Sequence, residues 1–345
     1  MLDDIKYIHR KDADDALGVA AKQWDQLNYD FDLSSLPKTF SPISNVVYAG
    51  MGGSALGASL SSAWPGYNRP FEIIRGYDLP SYVGPETLVI CSSYSGNTEE
   101  TLSCLQQAIK SKSTVMVIAG GGKLVELAKD NKLPLVVLPK ISQPRYAVLA
   151  NFLATVRVIE QAKLSDTKQM DKTIVATAKY LKQLQTDWLP LVPVARNKAK
   201  KLALDLLGTS PVIYSGPRLA SAGYKWKISF NENAKNVAWQ GVYPEFSHNE
   251  FIGWSSHPIS KPYSIIDLVS DFDHPQINKR IKISAKLLSG NRPHPYTVHI
   301  KAKNVLEELL GSVLYGDFVT IYLALLNGVN PTPVELVEKM KKELK

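Results

Sequence analysis

The chain has 345 residues, of which 45% are hydrophobic and 21% are charged, so its composition is that of an ordinary globular protein and excludes collagen-like, coiled-coil and disordered classes. The 40 lysine and arginine residues outnumber 32 acidic ones. Because the basic residues are spread along the chain, we expect a solvated surface that attracts phosphorylated metabolites, and no nucleic-acid partner. A chain of this length exceeds the size at which one core usually stops growing, so two core-forming units are expected.

The amino-terminal segment alternates acidic and basic residues and lacks the apolar stretch of a secretory signal. Asp317 and Asn327 interrupt the most apolar segment, so no run approaches the roughly 18 to 20 residues that would cross a membrane. Cys91 and Cys104 each lie in an apolar pattern and give no metal-ligand spacing. We therefore expect a cytoplasmic protein without a membrane partner or a bound metal.

Short β-branched runs alternate with amphipathic stretches along most of the chain, which is typical of a parallel sheet with crossover helices. The predicted strands are NVVYAG (45–50), TLVICSS (87–93), TVMVIAG (114–120), LPLVVLP (133–139), SPVIYSG (210–216), YSIIDLV (263–269) and PYTVHIKA (295–302). Their continuous apolar character indicates burial on both faces by helices. The predicted fold class is therefore α/β, with a doubly wound parallel sheet in each half of the chain.

The pattern turns helical and polar in the middle of the chain, which places the domain boundary there. We predict an amino-terminal domain at 1–165 that includes leading helices, a helical connector at 166–189, and a carboxy-terminal domain at 190–345. The last of these ends in a helix opened by the prolines of NPTPV.

A glycine-rich turn, AGMGGSALG, follows the first predicted strand. Gly50, Gly52 and Gly53 permit a tight turn, and Ser54 is placed to cap the helix that follows. Free backbone N–H groups at such a turn would face an anion or a sugar oxygen. Glycine-rich turns between a strand and a helix also form for packing alone, so the sequence leaves both interpretations open.

A hydroxyl-rich turn, SSYSGNT (92–98), follows the second predicted strand. Asn97 and Glu100 fit a capping box, which leaves the hydroxyls of Ser93, Ser95 and Thr98 without a role in helix initiation. A phosphate accepts several hydrogen bonds and is favoured at a helix N-terminus. The two glutamates of the first turn oppose this interpretation unless they point outward. The turn is therefore either a phosphate site or an ordinary capped helix start.

Three ionisable residues lie where a helix or strand end could offer them to a pocket: Arg145, Glu232 and His248. Each also has an ordinary interpretation, as a helix-start surface residue, a solvated helix position and a polar loop residue. Aromatic residues near Glu232 and His248 favour a partly dehydrated site: Phe230, Trp239, Tyr243, Phe246, Phe251 and Trp254. The remaining histidines are interpreted as structural or surface residues: His9, His257, His274, His294 and His299.

Six motifs in this order resemble the bifunctional phosphoglucose/phosphomannose isomerases, which are built from two sugar-isomerase (SIS) domains. They are GMGGS, SSYSGNTEET, QPR, NENAKN, EFSHNE and GVNPTPVELVEKMKKEL. The SYSGNTEET motif alone marks the SIS fold, which aminosugar isomerases and sugar-sensing regulators share. The combination of NENAKN, HNE and PTPV is more specific, and the resemblance extends from about Asn45 to the C-terminus.

The resemblance implies a role for each matching residue. Ser93, Ser95 and Thr98 would hold the phosphate of the substrate. A second group, formed by Gly52, Gly53 and Ser54, would line the sugar.

The catalytic residues implied by the resemblance lie in the later motifs. Glu232 would move a proton between C1 and C2, and Arg145 would stabilise the enediolate. His248 of the partner subunit would help to open the sugar ring. A lysine of the terminal helix would assist, with Lys341 favoured over Lys342.

The implied activity is the interconversion of glucose 6-phosphate and mannose 6-phosphate with fructose 6-phosphate by a homodimer with shared active sites, without a cofactor or a metal. Thr332 would provide room for the substrate to rotate. Two alternatives stay open: a SIS protein that binds a sugar phosphate without converting it, and an isomerase of an aminosugar phosphate. The joint presence of NENAK and HNE disfavours the first.

Overall fold

The computed structural model describes residues 1–166, 168–256 and 262–344. The strands in these residues are β1 (Asn45–Gly50), β2 (Phe71–Ile74), β3 (Thr87–Ser93), β4 (Thr114–Ala119), β5 (Leu135–Val137), β6 (Ser210–Ser215), β7 (Trp239–Val242), β8 (Tyr263–Val269) and β9 (Tyr296–His299). The α-helices are α1 (Ile5–Lys11), α2 (Ala16–Ala20), α3 (Gly52–Ala63), α4 (Glu99–Lys110), α5 (Gly122–Asp130), α6 (Val148–Gln161), α7 (Met170–Leu184), α8 (Lys198–Asp205), α9 (Ala220–Glu232), α10 (Glu250–Gly253), α11 (Pro275–Leu287), α12 (Val305–Leu326) and α13 (Glu335–Glu343). Short 3₁₀ turns cover Gln23–Asn28, Pro144–Tyr146, Gln185–Trp188, Pro217–Leu219 and Glu245–His248.

One compact unit, Gln23–Lys179, contains a parallel sheet with the strand order β2-β1-β3-β4-β5. On one face, alternate side chains of β1, β3 and β4 pack against α4 and α5. On the other face, the Tyr48 hydroxyl donates to Asn151 on α6, and Asn151 in turn donates to Ser92 on β3. Helices thus cover both faces, which confirms the predicted doubly wound α/β architecture.

The other compact unit combines residues 1–22 with the described residues from Tyr180 onward. Its parallel sheet has the strand order β7-β6-β8-β9. On one side, α12 packs against α8 and α9. On the other side, Tyr214, Tyr243, Phe246 and Trp254 form a core with apolar side chains of α11.

Helix α12 is longer than the sequence pattern indicated, since Asp317 lies inside it and Asn327 only ends it. By length and composition its 22 residues could cross a membrane, but 94% of its most apolar window is buried inside the protein. Asp317 is itself fully buried and pairs with Lys225 and Ser229 of α9. The acidic residue therefore fixes α9 on a core helix and does not interrupt it.

The division between the units differs from the predicted domains. The leading residues were assigned to the amino-terminal domain, but they join the unit that contains the chain from Tyr180 onward. Polar contacts account for this, because the Tyr7 hydroxyl donates to the Leu325 carbonyl at 2.7 Å and Asp3 pairs with Lys200 at 3.1 Å. The predicted connector at 166–189 is also divided, since the boundary falls at Lys179 within α7.

Two strands, β2 and β7, were absent from the sequence prediction. Both lie at the edge of their sheet, where each has one strand neighbour. Their side chains are only partly buried, so neither shows the continuous apolar run that marks the central strands.

Candidate active site

The two motif-bearing turns of the first sheet lie side by side. β1 has β2 on one side and β3 on the other, so the order of the chain reverses between β1 and β3. Ligands of open parallel sheets bind outside the carboxyl ends of the strands at such a reversal. Gly50 at the end of β1 is paired with Ser92 of β3, which brings the β1–α3 and β3–α4 turns together at this point.

The glycines of the first turn allow a close approach of another segment. Gly52 has a φ of +48°, which favours glycine. A Cβ on Gly53 would lie 3.0 Å from the Pro144 carbonyl oxygen and 3.4 Å from the Arg145 nitrogen. The hydrogen at position 53 therefore lets the turn that carries Arg145 lie directly against the start of α3.

Ser54 does not cap α3, so that prediction was wrong. Met51 occupies the N-cap position and makes no side-chain capping bond. The Ser54 hydroxyl instead accepts the N–H of Tyr94 at 3.0 Å, and Ser54 is buried. Its structural role is to tie the first turn of α3 to the loop that follows β3.

The three hydroxyls that capping left unexplained form one cluster. Oγ of Ser93 lies 2.8 Å from Oγ1 of Thr98 and 3.5 Å from Oγ of Ser95. Ser93 is buried at the end of β3, whereas Ser95 is exposed. The cluster thus extends from the sheet to the surface just before α4 begins.

The predicted capping box at α4 is not formed. Thr98 is the N-cap residue, and α4 has no side-chain capping bond among the residues that the structure describes. The Asn97 side chain accepts the N–H of Lys123 at the start of α5 instead. The hydroxyls of Ser93 and Ser95 accept the N–H groups of Gly96 and Asn97, just before the positive end of the α4 dipole.

The two glutamates of this first turn lie near Tyr77. The Tyr77 hydroxyl donates to Glu99 at 3.5 Å. The negative charge of Glu100, followed by slight dehydration and by Glu99, raises the pKa of Tyr77. Both carboxylates are thus near a tyrosine that follows β2, so the predicted objection to an anion at this turn is weakened.

Tyr94 is a residue of this region that sequence reasoning missed. Besides the N–H bond to Ser54, its hydroxyl donates to the carbonyls of Ile141 at 2.8 Å or Pro139 at 3.1 Å and accepts the Ile141 N–H. Burial raises the pKa of Tyr94. Tyr94 thereby joins the start of α3 to the segment that leads to Arg145, and its only sequence signal was one aromatic residue among small polar ones.

Arg145 is buried, with 1% of its surface exposed, so its interpretation as a surface residue is wrong. It lies in the 3₁₀ turn that precedes α6. The guanidinium carbon is 4.7 Å from the ring centroid of Tyr146, which is within cation–π range. Within this unit the structure therefore brings together the hydroxyl cluster, Ser54, Gly53 and Arg145.

Glu232 lies in the other unit, as the last residue of α9, and is half-buried. The side chains of neighbouring residues in the NENAKN motif fix the backbone at the end of α9 by hydrogen bonds. Asn233 donates to Thr320 of α12 at 3.0 Å, and Asn236 donates to the Thr209 carbonyl at 2.8 Å. The motif therefore anchors the end of the helix that presents the Glu232 carboxylate.

His248 is exposed, in the 3₁₀ turn that follows β7. The aromatic residues expected to exclude water around it have other positions. Tyr243, Phe246 and Trp254 lie in the core of the sheet, and Trp239 is 47% exposed. The prediction of a dehydrated aromatic pocket around His248 is thus wrong for the single described chain.

Lys341 lies on α13, every residue of which is exposed. Its ammonium donates to Glu338 at 2.8 Å, one turn earlier on the same helix. Lys342 is also exposed. Glu232, His248 and both lysines belong to the same unit, whereas Arg145 and the hydroxyl cluster belong to the other.

Within the described part of the chain, a group of potential metal ligands that sequence spacing did not indicate lies at the carboxyl end of the second sheet. Ligand atoms of Asp271, His299 and Glu308 lie within 4.8 Å of one another. Protein contacts already account for the arrangement, because His299 pairs with Asp271 at 2.9 Å and Glu308 accepts the Asp271 N–H at 2.9 Å. Of the other histidines, His274 caps α11, and His257 lies outside the described residues.

Comparison with known proteins identifies both the domain type and the family. Residues 195–344 match the family described as bacterial phospho-glucose isomerase C-terminal SIS domain. The chain is 32% identical over 320 residues to a bifunctional phosphoglucose/phosphomannose isomerase of Aquifex aeolicus, covering 91% of this chain and 95% of that one. It is 35% identical to the protein of the same name from Caldicellulosiruptor bescii, covering 88% and 90%.

A relative with a different name is also found. The chain is 27% identical to a D-glucosamine-6-phosphate 4-epimerase of Sulfolobus acidocaldarius, covering 86% of this chain and 88% of that one. Among solved structures, a glucose-6-phosphate isomerase-like protein from Thermus thermophilus superposes with a TM-score of 0.65 at 18% identity, covering 97% and 99% of the two chains, which supports the fold. Given the identities above 30% over nearly the whole length, the chain belongs to the family of bifunctional phosphoglucose/phosphomannose isomerases.

Proposed function

We propose that this protein interconverts glucose 6-phosphate and mannose 6-phosphate with fructose 6-phosphate through a cis-enediol. The observation that carries the proposal is the hydroxyl cluster of Ser93, Ser95 and Thr98 at the start of α4. Such a group of donors at a helix N-terminus suits the terminal phosphate that all three sugars share. The names of the relatives in Aquifex aeolicus and Caldicellulosiruptor bescii support the same substrates.

The proposed chemistry requires a base, a cation and an acid. Glu232 takes the proton from C2 of the open-chain aldose and returns it to C1, while the proton of the C2 hydroxyl passes to the oxygen on C1, so that the carbonyl moves from C1 to C2. Arg145 stabilises the negative charge that develops on the enediolate oxygen. His248 and Lys341 exchange the proton that opens and closes the sugar ring. Epimers at C2 give the same enediol, and rotation of the substrate about C2–C3 lets one base on one face serve both glucose and mannose 6-phosphates.

We further propose that the protein is a cytoplasmic homodimer in which His248 acts on the substrate of the partner subunit. The exposure of His248 on its own chain supports this arrangement. So does α13, where Leu336 and Met340 are 81% and 58% exposed. Cys91 and Cys104 are both free and buried, which suits a reducing compartment.

The test replaces Glu232 with Gln and measures turnover of all three hexose 6-phosphates, with and without chelator. We expect kcat to fall roughly 100- to 10,000-fold, as loss of a general base does, while substrate binding is retained. Glu126, an exposed residue of α5, gives the matched control Glu126→Gln, which should keep full activity. Full turnover in Glu232→Gln would refute the assignment of the base, and loss of wild-type activity on adding chelator would refute metal-independent catalysis.

The aminosugar alternative has one observation in its favour, the resemblance to the D-glucosamine-6-phosphate 4-epimerase. Glucosamine 6-phosphate is therefore included in the same assay. Faster conversion of glucosamine 6-phosphate than of any neutral hexose 6-phosphate would favour the aminosugar activity. Tight binding of hexose 6-phosphates without turnover by the wild-type protein would favour a regulator.

A further inference from the structure

Lys235 is a second charged residue of the NENAKN motif, and its side chain folds back onto the main chain. Its ammonium donates to the carbonyl oxygens of Glu232 at 2.9 Å, Asn330 at 2.8 Å and Pro331 at 3.0 Å. The Asn233 carbonyl lies at 3.4 Å. One ammonium thus contacts two segments that are distant in the chain, since Lys235 and Pro331 are separated by 96 residues.

The first of these segments is the end of α9. The last carbonyls of a helix lack partners within the helix and carry the negative end of its dipole, so an ammonium is stabilised there. The carbonyl that Lys235 contacts most closely in this segment belongs to Glu232 itself. Because that carbonyl is one bond from the Cα of Glu232, holding it also holds the origin of the carboxylate side chain.

The second segment is the turn that precedes Thr332. Within it, the Thr332 N–H donates to the side chain of Asn330 at 3.0 Å. A separate bond runs from Asn327 at the end of α12 to the Ala234 carbonyl at 3.1 Å. The end of α9 is therefore joined to the 330–332 turn by Lys235, and the segment after α9 is joined to the end of α12 by Asn327.

The positive φ of Lys235 indicates that the surrounding contacts hold this residue in an unfavourable backbone conformation. Lys235 has a φ of +53°, a left-handed conformation that costs a non-glycine residue about 1 kcal/mol. Lys132 has nearly the same φ, +54°, just after α5 in the other unit. The two lysines share a backbone conformation but differ in position, which makes Lys132 a matched control.

We propose that Lys235 is a positioning residue, whose ammonium fixes the Glu232 carboxylate relative to the turn that carries Thr332. The inference rests on the proposed role of Glu232 as the base. A base displaced by about 1 Å loses roughly 100-fold in rate, whereas the binding of substrate by other residues is little affected. Lys235 therefore acts on kcat and leaves KM nearly unchanged.

The test compares three variants of Lys235 with two of Lys132 in the full-length protein. Lys235→Met keeps the length of the side chain without its charge, Lys235→Gly also relieves the backbone, and Lys235→Arg keeps donors. We expect kcat to fall about 10- to 100-fold in the Met and Gly variants, KM to change less than about threefold, and Arg to restore part of the rate. Lys132→Met and Lys132→Gly should keep the wild-type kcat.

A purely structural role predicts a different pattern. If Lys235 matters only for the backbone, removal of the left-handed strain makes Lys235→Gly as active as the Lys132 variants. The same variant would then be at least as stable as Lys235→Met. Unchanged kcat in Lys235→Gly, or a loss of activity that follows a loss of melting temperature across all five variants, would overturn the inference.

Hydrogen exchange gives a readout that does not need activity. We expect the amides of residues 233–236, Thr332 and Val334 to exchange about tenfold faster or more in Lys235→Met than in wild type, and to be unchanged in Lys132→Met. Equal exchange in Lys235→Met and wild type would overturn the inference. Absence of isomerase activity in the wild-type protein would refute the proposed function separately, because the exchange measurement still reports on the two joined segments.

Discussion

The hydroxyl oxygens of Ser93 and Thr98 lie 2.8 Å apart, one on the last residue of β3 and the other on the residue before α4. Ser95 adds a third hydroxyl on the exposed side of this pair. If the cluster holds a phosphate, each hydroxyl contributes a hydrogen bond to a charged group, worth about 1.5 to 3 kcal/mol.

Replacement of Ser95 with Ala should therefore raise KM for hexose 6-phosphates about 10- to 100-fold, with little change in the melting temperature. Steady-state kinetics and a thermal scan measure the two effects. The control is Ser111→Ala at the opposite end of α4, where the hydroxyl bonds the Ala108 carbonyl of its own helix. If Ser95→Ala has the same KM as the control, the turn does not bind the phosphate and is an ordinary helix start.

The glycines of the first turn should behave differently from each other. Gly53→Ala places a Cβ 3.0 Å from the Pro144 carbonyl, so the Arg145 turn must move, and we expect kcat to fall about tenfold or more. Gly52→Ala meets no atom of the described residues within 4 Å but is strained by its φ of +48°, so it should cost about 1 to 2 kcal/mol of stability and keep most of kcat. Equal kcat in the two variants would contradict this interpretation of the contact.

The buried pair of Lys225 and Asp317 should be far more important for stability than an exposed pair. Asp317→Leu leaves an uncompensated buried ammonium and should lower the free energy of unfolding by about 3 to 5 kcal/mol. The double variant Lys225→Met with Asp317→Leu should recover most of that loss. Glu338→Gln, which breaks the exposed pair with Lys341, should change it by about 1 kcal/mol or less. Urea unfolding measures all four proteins.

Asp267 of β8 should make stability depend on pH. Dehydration by burial raises the pKa of its carboxyl to about 6, partly opposed by Arg292 and His294. The unfolded carboxyl has the ordinary pKa of 3.8, so between these values the folded protein retains a proton that the unfolded chain releases. The free energy of unfolding therefore falls as the pH rises through this window.

A shift of about 2 units corresponds to about 3 kcal/mol. Relative to wild type, Asp267→Asn should thus be about 3 kcal/mol more stable at about pH 7 than at about pH 4, by urea unfolding across that range. Asp205→Asn removes an exposed carboxylate as the control. A difference between Asp267→Asn and wild type that stays constant across this range would show that Asp267 titrates normally.

The central strands and the turns that follow them were predictable because their signals are local. β1 and β3 are continuous apolar runs, since both faces of the sheet are covered. The edge strands β2 and β7 carry no such run, because partial exposure permits polar residues. The sequence therefore indicates the central strands and the edge strands β5 and β9, but not β2 and β7 at the opposite edges.

The contacts of the candidate site were less predictable because they join distant positions. Ser54 has the composition and spacing of a capping residue, but its hydroxyl bonds Tyr94, which is 40 residues away. Asn97 likewise bonds Lys123 and not its own helix. A capping motif predicts a hydrogen bond from a side chain to its own helix. At both turns the side chain instead bonds a residue that is distant in the sequence, which the local pattern cannot indicate.

The bond between Tyr7 and Leu325 has a consequence for the biosynthesis of the protein, since it joins positions 318 residues apart. During translation, domains generally fold as units while the chain is still emerging from the ribosome. Residues 23–179 form a compact unit from one continuous segment, so we expect that unit to fold first. The leading helices are synthesised earliest, but they can pack against α12 only after α12 has emerged. A chain stalled before α12 would thus display a finished sheet and an unattached amino-terminal arm.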